Sequence, residues 1–131
     1  MRFAKIVFNI AGIWGLLVLT PLLFLEQKIG LDHPPAITHP EYFYGFAFVA
    51  LAFQIVFLII AREPVRYRPI MLACMIEKFP FVIACAVLYM RGQLYPAFLV
   101  GPAADLILGL LFVVAYVKTP AQAALAVRAS A

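Results

Sequence analysis

Four long apolar blocks divided by short polar connectors limit what this chain can fold into more than any other feature. Ile6 to Leu25, Tyr42 to Ala61, Ile70 to Met90 and Ala97 to Val117 are the blocks. Each is about 20 residues long, and at about 1.5 Å rise per residue a helix of that length spans about 30 Å, the hydrocarbon thickness of a bilayer. Inside that layer no water meets the backbone, so only helices and closed barrels can cross it. Barrel strands alternate polar and apolar side chains, and a run such as Ile55-Val56-Phe57-Leu58-Ile59-Ile60 does not. The expectation is an all-α polytopic membrane protein, an antiparallel four-transmembrane-helix bundle over residues 1–118, with a frayed cytoplasmic tail over 119–131. Composition excludes the soluble alternative: 12% of residues are charged and 66% apolar, against about 25% charged in soluble domains.

Charge placement sets the expected direction. Arg2, Lys5, Arg62, Arg66, Arg68, Lys118 and Arg128 fall on one side of the blocks, and Lys28 and Arg91 on the other. That bias places both termini in the cytoplasm, and an inner (plasma) membrane of a bacterium is the expected location. The net charge of +4 comes from basic residues at block ends, not from a basic stripe interleaved with aromatics, so nucleic-acid binding is rejected. The first block is too long for a secretory h-region, and Leu25-Glu26-Gln27-Lys28 offers no cleavage site, so it reads as a retained span. Cys74 and Cys85 lie about 16 Å apart along one helix, too far to bridge to each other. The connector from Glu26 to Glu41 holds Pro34, Pro35 and Pro40 and is expected to be extended and stiff.

Polar side chains at lipid depth carry the functional information, because each charge there costs about 2.5–3.5 kcal/mol on insertion scales. Gln54, Glu77, Lys78 and Asp105 are such residues, with Asn9 nearer a membrane edge. Depth counting puts Gln54, Glu77 and Asp105 within reach of one cavity, with Glu77 pointing into the bundle. Lys78 lies about 100° around the helix from Glu77 and can reach Asp105 or the cytoplasmic surface. Gly101, Asp105 and Gly109, spaced by four, form a face suited to close helix approach. Two roles are open to this set: a buried network that fixes helix register, or a ligand or proton site. His33, His39, Asp32 and Glu41 match no compact metal motif, and no phosphate-binding or hydrolase signature is present, so no metal and no cofactor are expected.

The segment Leu51 to Ala61, with Phe53-Gln54 inside it, followed by a basic turn and Arg68-Pro69, resembles the EXPERA family of emopamil-binding proteins and the sigma-2 receptor. The four-span layout is also similar to small bacterial DoxX-type membrane proteins. The EXPERA resemblance implies a cavity among the helices that takes a sterol or cationic amphiphile. It implies that Gln54 lines that cavity and that Glu26 and Asp32 form an acidic pair at its outer end. The chain departs from the family at Ala50, where an acidic residue is expected, and in its shorter outer connector, which weighs against isomerase chemistry.

The resulting expectation is an intramembrane cavity for a lipid-like or amphiphilic small molecule. Its ligand-binding residues are Gln54, Glu77, Lys78 and Asp105, with Glu26 and Asp32 above, and Trp14, Phe46, Phe53 and Phe81 as candidate walls. Two alternatives are an accessory subunit of a larger membrane complex and an isomerase using Glu77 and Asp105 as acid and base. The expected partners are membrane lipid or an apolar small molecule, with a homodimer or a larger complex as the candidate assembly.

Overall fold

A computed structural model describes residues 1–122, together with 126 and 129. The expectation for the tail falls largely outside the described residues. Among the described residues, α-helices are formed by α1 (Arg2–Leu22), α2 (Glu26–Asp32), α3 (Pro40–Arg62), α4 (Ile70–Met90) and α5 (Val100–Lys118), the last entered through a 3₁₀ turn over Pro96–Leu99. Four of these stretches are long and apolar enough to cross a membrane.

Local chemistry explains the boundaries. Pro40 opens α3, where its missing N–H costs nothing, and Glu41 in the first turn and Arg62 in the last complement the helix dipole. At the end of α4, Gly92 adopts φ +69°. Gly92 N–H then donates to Tyr89 O and Gln93 N–H to Leu88 O, which closes the helix with a left-handed glycine cap. Arg68 closes α5 from a distance, donating through Nε to Thr119 O at 2.7 Å and Tyr116 O at 3.3 Å. Its guanidinium lies 3.8 Å from the centre of the Tyr116 ring.

The connector between α1 and α3 differs from the extended form expected of it. Its first half is the helix α2, because the prolines begin only at Pro34. A Lys28–Asp32 pair four residues apart supports that turn at 2.6 Å. The prolines then end the helix, as their fixed φ requires.

The packing is uneven. α1 lies along α3, and α5 lies along α4 and, over a shorter length, along α1, whereas α3 and α4 touch only sparsely. On α1 the buried residues are Ala4, Val7, Phe8, Ala11, Gly12 and Gly15, a narrow helical stripe of mainly small side chains. On α3 the facing set is Ala47, Ala50, Gln54, Phe57, Ile60 and Ala61. Lipid tails are as apolar as leucine, so such helices associate by close van der Waals fit, which small residues allow.

One end of the helices, the base, brings together Phe3, the turn after Arg62 and the end of α5: Lys118 Nζ lies 4.8 Å from the Phe3 ring centre and Arg68 caps α5. Above it three aromatic rings join three helices. Phe8 stacks on Phe112 with centroids 4.3 Å apart, and Phe57 meets Phe112 edge-on at 5.0 Å. Met71 and Cys74 of α4 complete this core.

Gly12 and Gly15 set the α1–α3 spacing. A Cβ at Gly12 would stand 2.7 Å from the Leu58 side chain and 2.9 Å from Gln54 O, and one at Gly15 would overlap the Gln54 amide. Gly15→Ala is expected to destabilise the protein by about 1–3 kcal/mol through overpacking. Gly45→Ala, at a position with nothing within 4 Å, serves as the control and should be neutral or stabilising. Thermal unfolding in detergent, followed by circular dichroism, reads the difference.

Candidate functional site

The strongest polar feature lies between α4 and α5. Lys78 Nζ is 2.7 Å from Asp105 Oδ1 and 3.1 Å from Glu77 Oε2, so one ammonium bridges two carboxylates. Exposure separates their roles: the side chain of Lys78 is 6% exposed, that of Glu77 17% and that of Asp105 21%. The lysine therefore occupies the interior and the acids occupy its rim. Glu77, expected to face inward, keeps Oε2 buried but is less deeply set than Lys78. The buried stripe of α4 is Met71, Cys74, Lys78 and Cys85, spaced by three, four and seven, and it contains the lysine position. Glu77, about 100° around, is turned to the margin. The flexible stem of Lys78 still lets its head meet Glu77, although the two side chains leave the helix in different directions.

Two contacts hold the lysine in place. Nζ lies 5.4 Å from the centre of the Phe57 ring, which joins the charge to the aromatic core through the ring face. Gly109, one turn beyond Asp105 on α5, lets the helices approach: a Cβ there would stand 3.0 Å from Phe79 and 3.3 Å from Lys78 Cβ. Gly101 has nothing within 4 Å of such a Cβ, so only one of the two glycines flanking Asp105 serves the close approach.

The bridge is electrostatically incomplete. Two carboxylates share one ammonium, and Glu77 Oε2, though buried and near Nζ, has no aligned hydrogen-bond donor. Glu77 lies one helical turn from Phe81, so both occupy the same side of α4. Phe81 stacks on Phe46 of α3 with centroids 5.6 Å apart. The acid thus adjoins the sparse α3–α4 boundary, with aromatic rings on both sides of it.

The remaining expected site residues stand elsewhere. Gln54 is buried on the α1 side of α3, its amide Nε2 donating to Ala50 O at 2.8 Å and its oxygen lying against Gly15. It joins two helices, apart from the hydrogen bonds that hold the Glu77–Lys78–Asp105 set. Glu26 accepts a hydrogen bond from Tyr44 Oη at 3.0 Å, whereas Asp32 is held by Lys28, so the two acids have separate partners. The hydrogen bond from Lys28 holds the exposed Asp32 carboxyl below the usual aspartate range. Trp14 is exposed on the outer face of α1, Phe53 packs toward Phe57, and Phe46 and Phe81 form the bridge just described. His33 stacks on Tyr95 and His39 pairs with Glu41. Among the described residues, no group of three or more His, Cys, Asp and Glu side chains is placed to share a metal ion.

No family model, curated protein or solved structure gives a significant match to the chain. The reading of the site therefore rests on its own geometry.

Removing the lysine alone should be far worse than removing the whole charge set. Lys78→Met leaves two carboxylates without their cation and is expected to cost about 3–5 kcal/mol. Combining it with Glu77→Gln and Asp105→Asn should recover most of that loss. Thermal midpoints of the two variants in one detergent measure the recovery.

Proposed function

We propose that the chain is an integral membrane protein of four antiparallel spans, with both termini cytoplasmic, which binds a cationic amphiphile at lipid depth. The bias of Lys and Arg toward the ends near Arg2, Arg62–Arg68 and Lys118 supports that direction. The likeness to DoxX-type proteins supports a bacterial inner membrane as the location. The many exposed large apolar side chains, among them Ile10, Leu17, Val49, Ile83 and Val117, suit lipid and would be untenable in water.

The observation that carries the ligand reading is the unbalanced carboxylate of Glu77. With both acids ionised, the set with Lys78 holds one net negative charge in a medium that penalises it. A primary amine entering along the α3–α4 boundary would supply the missing cation and a donor for Oε2. Its tail would lie against Phe46 and Phe81, and aromatic faces favour a nearby ammonium. The EXPERA resemblance points to the same ligand chemistry, although here the acid is contributed by α4. Gln54 then acts as the hinge-pin of α1 and α3, with no ligand contact of its own. The accessory-subunit and isomerase readings draw on the same topology, but no feature of this site favours them.

Dodecylamine and dodecanol, compared in nanodiscs of zwitterionic lipid, test the proposal. The amine should bind saturably and the alcohol should not. Glu77→Gln should weaken the amine by about tenfold or more, the scale of a charged hydrogen bond. Asp105→Asn should weaken it too, because Lys78 would then be free to neutralise Glu77. Equal binding of amine and alcohol, or indifference to Glu77→Gln, would overturn the reading.

A further inference from the structure

At the base of the helices an open basin of about 560 Å³ lies between the first turn of α1 and the turn after α3. Lys5, Arg62, Glu63, Pro64, Arg66 and Gln122 are among its lining residues. Three cationic side chains face one acid there. Glu63 is engaged by Arg66, at 3.5 Å, while Lys5 and Arg62 form no ion pair among the described residues. Arg68, in the same turn, by contrast turns its Nε to two carbonyls at the end of α5. The basin therefore keeps two net positive charges that the fold does not consume. It lies directly beyond the last apolar residues of α3, Ile60 and Ala61, where a helix crossing a bilayer would meet the headgroups.

From this we infer that the basin is a binding site for the phosphate of an anionic phospholipid. Guanidinium groups match a phosphate in shape and donate paired hydrogen bonds, and an ammonium adds a point charge. Phosphate could also arrive on a soluble compound. A lipid is favoured because the basin opens at the membrane edge, where its acyl chains would continue along the exposed apolar side chains Ile59 and Ile6. The inference goes beyond the amphiphile reading and uses none of its residues, so either can fail alone.

The full chain, reconstituted in nanodiscs of equal phosphatidylglycerol and phosphatidylcholine, is released into detergent and its retained lipids are weighed by native mass spectrometry. Phosphatidylglycerol should be retained preferentially. Lys5→Gln, Arg62→Gln and Arg66→Gln should each reduce that preference by about fivefold, the scale of one basic residue near a membrane surface. Lys28→Gln with Arg91→Gln, which removes two charges from the opposite end, should leave it unchanged. An absent preference, one untouched by the three replacements, or one lost equally in the control overturns the proposal. Saturable broadening of inorganic phosphate in phosphorus NMR, without lipid preference, would overturn the lipid assignment in favour of a soluble phosphate compound. All three positions are exposed, so single replacements keep the comparison valid if a combined variant fails to fold.

Discussion

The ammonium of Lys78 is the charge around which the rest of the structure is arranged. In hydrocarbon a lysine is stable only beside its counter-ions, so the contacts to Glu77 and Asp105 fix α4 against α5 in both depth and rotation. That fixing makes Gly109 necessary, because the helices must approach closely enough for the ion pair to form. It also turns Phe79 onto α5, while Glu77 and Phe81 lie on a different side of α4. The site at the α3–α4 margin therefore follows from the pairing between α4 and α5.

The aromatic core at the base complements that bridge. Phe8, Phe57 and Phe112 lock α1, α3 and α5 together, and Phe57 also offers its ring to Lys78. Water would drive α3 and α4 together to hide their remaining apolar surface, but lipid has no such preference. A boundary can thus stay sparse in a membrane without a stability penalty, spanned by the Phe46–Phe81 stack, the Lys78 contact to Phe57 and the core around Met71 and Cys74.

Much of this was legible in the sequence because hydropathy over a long window sums many small, same-signed contributions. The four spans, the absence of a bridge between Cys74 and Cys85, and the reach of Lys78 to Asp105 all follow from length and rise. Which of two adjacent charges points inward does not follow, since neighbouring positions differ by only about 100°. The signal lies in the phase of the whole buried stripe of α4, Met71, Cys74, Lys78 and Cys85, which contains the lysine and leaves Glu77 at its margin. Gln54 stands apart from the acids for a related reason. Depth counting put it level with the acids, but depth says nothing about azimuth, and the Ala47, Ala50, Gln54, Phe57 and Ala61 stripe turns it toward Gly15. The helix α2 is hard to read from the sequence because three prolines dominate a connector whose first seven residues contain none.

The turn between α3 and α4 shows why charge counting alone understates a basic loop. Arg68 and Arg66 stand two residues apart and contribute equally to a topological bias, yet their surroundings differ in kind. Arg68 meets two carbonyls at the end of α5 through its Nε and a ring face through its guanidinium plane, contacts that tie it to α5. Arg66 meets one carboxylate at 3.5 Å and the neighbouring Tyr67 ring, and it lines the basin. A residue needed solely to hold a loop on one side of the membrane requires no defined neighbours. Convergence of Arg66 with Arg62 and with Lys5 from another helix is a stronger condition, because like charges brought together repel unless an anion stands between them. The cost of holding them close falls when such an anion binds, and at headgroup depth the most abundant candidate is the phosphate of a lipid.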